Sequence, residues 1–538
     1  MKKRIISVML SALLLASLGG CGKEVQQAET GSVTQAEEGA ESQEETADES
    51  AKGTEVNRIY IETNEDLYNL APSSISNGGH YFRYGNLFYE KLLGYDKDGN
   101  IIPCLATDYE VSDDLKLTLH IRENVKFHTG QTLSAKDVLF SLKLANDSAN
   151  FSRNTKYMDL DNVEMPDDYT LIIPLEQKTV FLVDDLAKIE IASEEAYQAD
   201  PEHLNNKEAG TGPYYISDWQ IGSSVTMQKF EEYWGSGDQK QNVDEIVFKV
   251  ITEGSQRTIA LETGDVQVLY DVPKADIVTL QDNPDITIDG KETDGCYALY
   301  FNCSDKKPTT DVRIRQAIAY AIDTPAVAKA AYGDGGVAAT SVMNRTNIEW
   351  EESMGNLEPL YSYNIEKAKE LLAEAGYPDG GLELTIIADG TKDGTRDAIQ
   401  IIQNQLEQVG ITLNVELQEG SVFNTTKFDE NAWDLQYDFY GMVRTAFAFF
   451  NNQFDQRAGS RAFYRDEKMQ SMIEEAIPEY DEQKVDALCE YFTEELPAYP
   501  MVDVITYYAY KKGIENFNIY TYNVMYPGEF TYTEEYNK

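Results

Sequence analysis

Few residues in this chain have the types and spacings that catalysis or metal binding requires. Its four histidines, at positions 80, 120, 128 and 203, show no local metal-ligand spacing. The sequence contains no GxSxG, HExxH or GxxxxGK[ST] motif. Carboxylates are abundant, but with 93 acidic residues a chance pair says nothing about glycosidase chemistry. We therefore expect neither an enzyme nor a bound metal or cofactor.

The sequence around one cysteine, Cys21, indicates a specific modification of its thiol. A basic start at residues 2–4 precedes the apolar stretch 5–18, which is shorter than the roughly 20 residues of a membrane span. This pattern is typical of a secretory signal peptide, here residues 1–20. The stretch ends in Leu18-Gly19-Gly20-Cys21, which resembles a bacterial lipobox. That resemblance implies cleavage before Cys21 and acylation of its thiol by palmitate; the alternative is a plain secretory signal with a chance cysteine.

Charge and composition limit the possible partners. The formal net charge is -48, from 93 acidic and 45 basic residues. Phosphates would repel such a surface, so nucleic acid is excluded as an expected partner. Residues 21–55 contain almost no aliphatic or aromatic side chains and cannot bury enough apolar surface to order themselves. We predict a disordered acidic tether there, which a lipid at Cys21 would join to the membrane.

The remaining cysteines are expected to behave as small buried hydrophobic residues. Cys296 and Cys303 bracket a strand-like run, residues 297–302, and in one strand they would be about 23 Å apart on opposite faces. They cannot then form a disulfide with each other. Cys104 and Cys489 have no CxxC partner, so a zinc site has no support, and the sequence does not decide the redox state of these four thiols.

A chain of 538 residues is expected to form two or three domains. A strand at 246–251 precedes a helix that Ser255 could cap and Gly264 could end, and a second strand follows at 266–272. The same pattern recurs with strands at 384–388 and 411–417 around a helix ended by Gly410. A further helix, 365–375, has Asn364 as cap and Gly376 as stop. These distant units predict two α/β lobes with largely parallel strands.

Several motifs follow one another in the order and spacing of a known family. The most specific block includes the run Leu133-Ser134-Ala135-Lys136-Asp137-Val138. With it belong the segments 92–100, 102–106, 109–114, 119–128, 210–214, 233–235, 311–317, 320–323, 367–372 and 375–378. From about Arg58 to about Phe517 the chain resembles the family 5 extracellular solute-binding proteins of ABC transporters, the oligopeptide, dipeptide and nickel receptor group. These motif residues are scaffold residues, so they identify the fold rather than the ligand.

The resemblance implies an α/β fold, a two-lobed flytrap like the type II, class C periplasmic binding proteins, with an extra third domain. Lobe I would combine 56–90, 210–298 and 500–538, the extra domain II would fill 91–209, and lobe III would fill 299–499. A ligand would lie in the crevice between the lobes, beyond the strand ends. Closure on the ligand would present a surface to a membrane permease.

The resemblance also supplies candidate ligand-binding residues. The acid that holds the peptide amine in this family falls on Thr445 here, and the following proline falls on Ala446, so the usual clamp is missing. Asp438 or Asp434 is a possible substitute, and Arg444 could bind a carboxylate or other anion unless it is an ordinary surface arginine. The complete set of candidates is Ser76, Asn77, His80, Tyr300, Asn302, Asp438, Tyr440, Arg444 and Thr445.

The sequence therefore predicts a monomeric lipoprotein on the outer face of the cell membrane. It would capture peptides and deliver them to the permease and ATPase subunits of an ABC importer. Two alternatives stay open: a receptor of the same fold for an anionic metabolite, glycan or metal chelate, and a peptide-sensing protein without transport. Ligand length, charge preference and the cognate permease are not encoded in any motif we recognise.

Overall fold

The computed structural model describes most of the chain beyond the predicted tether. The predicted signal peptide, Cys21 and the tether lie outside the described residues, as do Ser76, Asn77 and His80. The described residues are 57–64, 66–67, 69–72, 84–148, 151–200, 202, 209–235, 241–347, 360–441, 443–456, 460–520 and 523–533.

The first half of the described chain is rich in short strands. Its elements in chain order are β1 (Arg58–Thr63), α1 (Asn86–Phe88), β2 (Glu90–Lys91), β3 (Leu93–Tyr95), β4 (Ile101–Pro103), β5 (Ala106–Val111), β6 (Lys116–Ile121), α2 (Ala135–Asp147), β7 (Glu164–Asp167), β8 (Thr170–Pro174), α3 (Leu182–Leu186), β9 (Glu190–Ile191), α4 (Glu194–Ala199), β10 (Tyr214–Gln220), β11 (Ser224–Lys229), β12 (Glu245–Val250), α5 (Gly254–Thr263), β13 (Val268–Leu269), α6 (Ile277–Gln281) and β14 (Ile286–Phe301).

The second half alternates helices with longer strands. Its elements are α7 (Val312–Ala321), α8 (Thr324–Tyr332), β15 (Gly336–Ala338), α9 (Ile365–Glu374), β16 (Leu382–Asp389), α10 (Thr395–Glu407), β17 (Ile411–Gln418), α11 (Gly420–Thr426), β18 (Leu435–Tyr440), α12 (Ala446–Phe454), α13 (Glu467–Ala476), α14 (Glu482–Glu495), β19 (Ala498–Lys511), β20 (Ile514–Glu515), β21 (Ile519–Tyr520), β22 (Val524–Met525) and β23 (Thr531–Tyr532).

One large mixed sheet connects distant parts of the chain. Its strand order is β10-β11-β12-β1-β13-β19-β14-β18-β16-β17, with β15 added on β19. The pairs β1–β12, β1–β13, β16–β17 and β16–β18 are parallel. The expected predominance of parallel pairing is wrong, because β14 pairs antiparallel with both β18 and β19, and β11 with both β10 and β12. A buried apolar run looks the same in either pairing, so the pattern could not decide it.

The two long strands β14 and β19 carry the sheet from one lobe to the other. The end of β19 at Ala509 and Tyr510 pairs with β13, beside β1. At the opposite end of the pair, residues 296–301 of β14 pair with β18, beside β16. β1 therefore runs parallel to β14, whereas β18 and β16 run against it. The carboxyl ends of the parallel strands in the two halves consequently point toward each other.

Among the described residues, four apolar cores surround this sheet and its neighbours, the smallest of them around Leu261, Val266 and Ala509. The largest extends from Cys296 to Val502 and fills the space between β16–β18 and the helices α7–α14. A second lies entirely within residues 92–191, around the separate sheet β5-β6-β8-β7 and α2. The third combines residues from Ile59 to Tyr89 with later residues up to Phe530. The domain boundaries given above stay a prediction.

Several of the predicted helix ends are confirmed. Asn364 accepts a hydrogen bond from the Lys367 amide at 3.0 Å. Asp311, which begins the 311–317 motif, caps α7 in the same way by accepting the Arg313 amide at 2.9 Å. Gly410 ends the α10 turn with a φ of 79°. The Ser255 cap is wrong, because α5 begins at Gly254 after Glu253. The strand expected at 266–272 shortens to the two residues of β13.

Two family motifs have a clear structural role. The side chain of Asp137, at the third position of α2, accepts hydrogen bonds from the Ser134 amide at 3.0 Å and the Ser134 hydroxyl at 2.8 Å, which fixes the start of the helix. Gly210 and Gly212 pass directly over α1. A Cβ at Gly210 would lie 1.9 Å from the Phe88 carbonyl oxygen, so only glycine permits this approach.

Candidate binding crevice

The crevice lies where the carboxyl ends of the facing strands meet. In open α/β sheets ligands bind beyond these ends, because the connecting loops diverge there. Asn64 follows β1, and its buried Oδ1 has no hydrogen-bond partner among the residues described. On the other side Asp389 ends β16 and accepts hydrogen bonds from the amide and hydroxyl of Thr391 at 2.9 and 2.5 Å. Each lobe thus places a polar side chain at the carboxyl end of a strand that points toward the other lobe.

An aromatic cluster lies around Tyr297, near acids that follow strands of both lobes. The Tyr297 ring on β14 stacks on Tyr332 and Tyr437 with centroids 5.0 and 5.2 Å apart, and meets Phe439 edge-on at 5.3 Å. Burial raises the pKa of Tyr297 to about 12, and the carboxylates of Asp271, Asp389 and Asp393 add to this effect. Asp271 follows β13 whereas the other two follow β16, so acids from both lobes act on one phenol.

Lys274 connects the two lobes directly at one end of the crevice. Its Nζ donates hydrogen bonds to the carbonyls of Ala330 and Ala331 at 3.0 and 2.7 Å, in the last turn of α8. It also lies 3.4 Å from an oxygen of Asp397 on α10. A cation at a helix carboxyl end is stabilised by the partial negative charge of the free carbonyls. The lobes are thus in contact on this side.

Of the predicted site residues, Tyr300 and Asp438 are brought together by Arg461. The Arg461 guanidinium lies 4.6 Å from the Tyr300 ring centroid and forms an ion pair with Asp438. Lys427 Nζ is 3.6 Å from the same carboxylate. Burial lowers the pKa of Lys427 to about 7, and repulsion from Arg461 contributes. Asp438 therefore already faces two basic side chains of its own lobe.

Asn302 and Tyr440 are enclosed in the large core. The Asn302 side chain is fully buried; its Nδ2 donates to the carbonyls of Glu430 and Trp433, both at 2.8 Å, and its Oδ1 accepts from Ser304. Tyr440 is 2% exposed and packs on Phe449 with centroids 4.5 Å apart. Their part in ligand binding stays a prediction.

Arg444 and Thr445 lie in the loop that follows β18. Thr445 caps α12, because its Oγ1 accepts the Ala448 amide at 2.9 Å. Arg444 reaches across to the 91–209 segment, where Nη2 donates to the Gly99 carbonyl at 2.7 Å and Nη1 lies 3.7 Å from Asp184. Its guanidinium also lies 4.9 Å from the Tyr95 ring centroid. Its proposed role in binding an anion stays a prediction.

The sequence analysis missed Tyr297, Lys274, Lys427 and Arg461. Tyr297 is adjacent to Cys296 in a strand that was predicted, and strand alternation could have placed it on the face opposite Tyr300. The basic residues gave no signal, because their partners are distant in sequence. Cys104, Cys296, Cys303 and Cys489 are free thiols, so the expectation that Cys296 and Cys303 do not pair is confirmed.

Metal and membrane features are limited within the described part of the chain. It contains no group of three or more His, Cys, Asp or Glu residues placed to hold a metal ion. Among the described helices, none is long and apolar enough to cross a membrane.

The sequence matches known proteins over much of its length. The profile of the bacterial extracellular solute-binding proteins, family 5 Middle, matches residues 100–460. The chain is 31% identical over 332 residues to the glutathione-binding protein GsiB of Escherichia coli (strain K12), covering 61% of this chain and 63% of GsiB. The chain thus aligns with less than two thirds of the length of this curated relative.

Solved structures show the same fold. The binding protein AgaA of A. tumefaciens R10, in complex with agropinic acid, superposes with a TM-score of 0.77 at 24% identity, covering 89% of this chain and 99% of AgaA. The oligopeptide-binding protein AppA of Bacillus subtilis, in complex with a nonapeptide, gives 0.76 at 19% identity and covers 89% and 99%. The predicted two-lobed flytrap is confirmed. The matched family consists of binding proteins rather than enzymes, as the sequence predicted, and this chain belongs to the family 5 bacterial extracellular solute-binding proteins.

Proposed function

We propose that this protein is an extracytoplasmic receptor that captures peptides in the crevice and delivers them to the permease of an ABC importer. The observation that carries the proposal is the facing arrangement of the carboxyl ends of β1 and β16 across the two shared strands β14 and β19. Such a crevice can enclose a solute when the lobes close, and the closed form then differs from the open form at its surface.

Three features support a peptide as the solute. GsiB is named for glutathione and AppA was solved with a nonapeptide, so two of the similar proteins bind peptide-like molecules. The crevice wall combines tyrosine and phenylalanine rings with carboxylates at Asp271, Asp389 and Asp393. Aromatic rings accommodate varied side chains at low entropic cost, and carboxylates attract an ammonium group.

A non-peptide solute is the second candidate, and one observation favours it. The Thr445 hydroxyl caps α12, and the sequence resemblance implies that Thr445 falls on the position at which peptide receptors of this family carry the acid that binds the peptide amine. The nearby Asp438 is held by Arg461 and Lys427 and is not available as a simple replacement. AgaA, solved with agropinic acid, shows that the fold accepts other solutes.

The experiment that tests the proposal is the identification of the solute that copurifies with the protein. The full chain is expressed in a bacterial host, purified without denaturant and extracted with organic solvent, and the released molecules are identified by mass spectrometry. We expect a mixture of short peptides, which would also report length and charge preference. A single non-peptide compound, or thermal stabilisation by sugars, anions or metal chelates but not by peptides, would contradict the peptide proposal.

A second part of the proposal concerns where the receptor is held. We propose that Cys21 carries the lipid that holds the receptor on the outer face of the membrane, with residues 21–55 as its tether. The lipobox resemblance of Leu18-Gly19-Gly20-Cys21 is what supports this assignment.

A further inference from the structure

A second cleft lies outside the strand-end crevice. It is enclosed on one side by the segment 151–188 and on the other by Gly441 and α12, and its volume is about 110 Å³. Since a water molecule occupies about 30 Å³ of liquid, the cleft holds roughly three to four waters or one compact solute.

Two acids in this cleft are neutralised by lysines. Asp184 pairs with Lys188 at 2.5 Å, and Asp455 pairs with Lys156 at 3.0 Å. Because these two acids are already paired with lysines, ligand recognition in the cleft depends on its other polar groups.

One acid and one base in the cleft have weaker protein partners. Asp185 accepts a hydrogen bond from Asn154 Nδ2 at 2.6 Å, and no ion pair to it within 4.0 Å is found among the described residues. Arg153 is exposed at the mouth, and its guanidinium donates no hydrogen bond to any residue within the described ranges. The cleft is therefore lined by both a carboxyl group and a guanidinium, which come from two separate elements of the 151–188 segment.

Two further polar atoms in the cleft lack partners. Tyr157 Oη and Asn451 Oδ1 are buried, and neither has a hydrogen-bond partner among the residues that the structure describes. A buried polar atom without a partner costs about 1–3 kcal/mol, so such atoms normally bind water or a ligand. Asn451 Oδ1 only accepts, so the molecule beside it must donate.

The chemistry of these four groups selects one class of occupant. A simple anion would suit Arg153 but would meet the carboxyl group of Asp185, which has no ion-pair partner within 4.0 Å among the described residues. A simple cation would suit Asp185 but would make no use of the Arg153 guanidinium at the mouth of the cleft. We propose that the cleft binds a small zwitterion of the amino-acid type, whose ammonium group meets Asp185 and Asn451 and whose carboxylate meets Arg153.

Such a ligand lies between two parts of the chain that already touch. The Val180 amide donates to the Ile477 carbonyl at 2.9 Å, and the rings of Phe181 and Phe447 stack 5.1 Å apart. α12 follows directly after the Arg444–Thr445 loop of the crevice, and Asp184 of the cleft is the residue that Arg444 approaches. An occupant of the cleft therefore stabilises the arrangement in which α12 rests against the 151–188 segment. This proposed second ligand site is distinct from the proposed capture of a solute in the crevice.

The test uses the full chain and three simple probes: glycine, methylammonium and acetate. Calorimetry at pH 8 is expected to show saturable binding of glycine, with the other two at least tenfold weaker. Asp185→Asn and Asn451→Leu each lower glycine affinity at least tenfold, whereas Asp282→Asn, an exposed site elsewhere, leaves it unchanged. Circular dichroism and melting temperature establish that each variant is folded.

Crystals grown with glycine locate the bound molecule. Density for glycine between Asp185 and Asn451 supports the proposal. Water alone on Tyr157 and Asn451, absence of saturation, or equal binding by Asp185→Asn overturns it. If glycine binding is lost on Tyr297→Leu in the crevice but retained in both cleft variants, the ligand belongs to the crevice and the proposal fails while solute capture stands.

Discussion

Thr445 shows how a single residue can connect local stability with ligand choice. Its hydroxyl accepts the Ala448 amide and so satisfies one of the free amides in the first turn of α12. By the sequence resemblance, its position is also predicted to be the one where peptide receptors of this family have an acid. Aspartate is itself a good helix cap and is favoured by the partial positive charge of the helix amino end. The chain could therefore carry an acid here without loss of the cap.

We predict that substitutions at Thr445 separate these two roles. Thr445→Ala lowers the free energy of unfolding by about 1 kcal/mol, because the cap is lost, and Thr445→Ser lowers it by much less. Thr445→Asp keeps stability near that of the parent but strengthens binding of peptides with a free amine relative to N-acetylated ones. Urea unfolding and calorimetry measure the two effects. Equal affinity for both peptide forms in Thr445→Asp would show that this loop does not face the ligand amine.

Asp503 gives a residue-level prediction for pH dependence. It lies on β19 opposite Cys296, and burial raises its pKa to about 7, with Arg345 lowering it and Glu292 raising it. An unfolded aspartate has a pKa of about 3.9. The folded state therefore binds this proton more tightly, so its contribution to stability falls as pH rises from about 4 to about 7.

Asp503→Asn should remove this contribution. Between pH 5 and pH 8 the melting temperature of the variant falls less than that of the parent, while the control Asp282→Asn follows the parent. Asp185 has the same direction of shift, so some dependence remains. An unchanged slope in Asp503→Asn would mean that the carboxyl is ionised in the folded protein at neutral pH.

At the scale of elements, the junction of α8 and α10 depends on a glycine. Gly394 precedes α10 with a φ of 77°, and a Cβ there would lie 2.7 Å from the Ala331 carbonyl oxygen and 2.6 Å from the Tyr332 ring. Gly381 has a similar φ of 87° but open space where a Cβ would be. An alanine at Gly381 therefore tests backbone strain alone, whereas an alanine at Gly394 tests backbone strain together with a steric clash.

Gly394→Ala is expected to destabilise the protein more than Gly381→Ala. Gly381→Ala costs about 1–2 kcal/mol from the left-handed backbone alone. Gly394→Ala adds about 1–3 kcal/mol, because α10 must shift away from α8. Chemical denaturation of both variants measures the difference. Equal losses of unfolding free energy in the two variants would show that α10 can shift away from α8 without a measurable cost.

The sequence predicted those elements well in which apolar periodicity defines the buried face and a capping or turn residue defines the end. The unit β16–α10–β17 has alternating strands, an apolar helix stripe and Gly410 at its turn, and all three elements form as predicted. β14 was predicted only over residues 297–302, because its first half includes Asp289 and Glu292 and lacks an apolar alternation. Pairing with β19 supplies the hydrogen bonds that make that half a strand.

The candidate site was less predictable than the fold. Tyr300 and Asp438 do lie near each other, but what joins them is Arg461, which is distant in sequence from Tyr300. No local pattern marks such a partner, since it depends on how helices and loops return to the sheet. The same holds for Lys274, which meets α8 only after both lobes are assembled.

At the scale of the whole molecule, Lys274 links the lobes. Lys274→Ala removes hydrogen bonds to the carbonyls of Ala330 and Ala331 and the contact with Asp397. Because these groups are partly exposed, the loss should be about 0.5–1 kcal/mol of closed-state stability. We expect solute release two- to fivefold faster, measured by stopped-flow fluorescence. Lys291→Ala, an exposed change on β14, is the control, and unchanged release in both would place the closing contacts elsewhere.

The proposed lipid anchor at Cys21 gives a second prediction at the scale of the whole chain. Cys21→Ala should move the protein from the membrane fraction to the soluble fraction and abolish labelling with a palmitate analogue, while solute affinity stays unchanged. Fractionation and labelling of cells that express parent and variant measure this. A parent protein that stays unlabelled would favour the plain secretory signal.

The path of β19 has a consequence for the order in which the molecule is made. The core that contains Ile59 and Tyr84 is completed by Tyr508, Tyr510, Met525 and Phe530, and β13 pairs only with β1 and with β19 among the described strands. The apolar core of the N-terminal lobe is therefore incomplete until the residues up to Phe530 have been synthesised. If the chain crosses a membrane from its N-terminus, as the signal-peptide prediction implies, this lobe completes its core only after the residues up to Phe530 have followed.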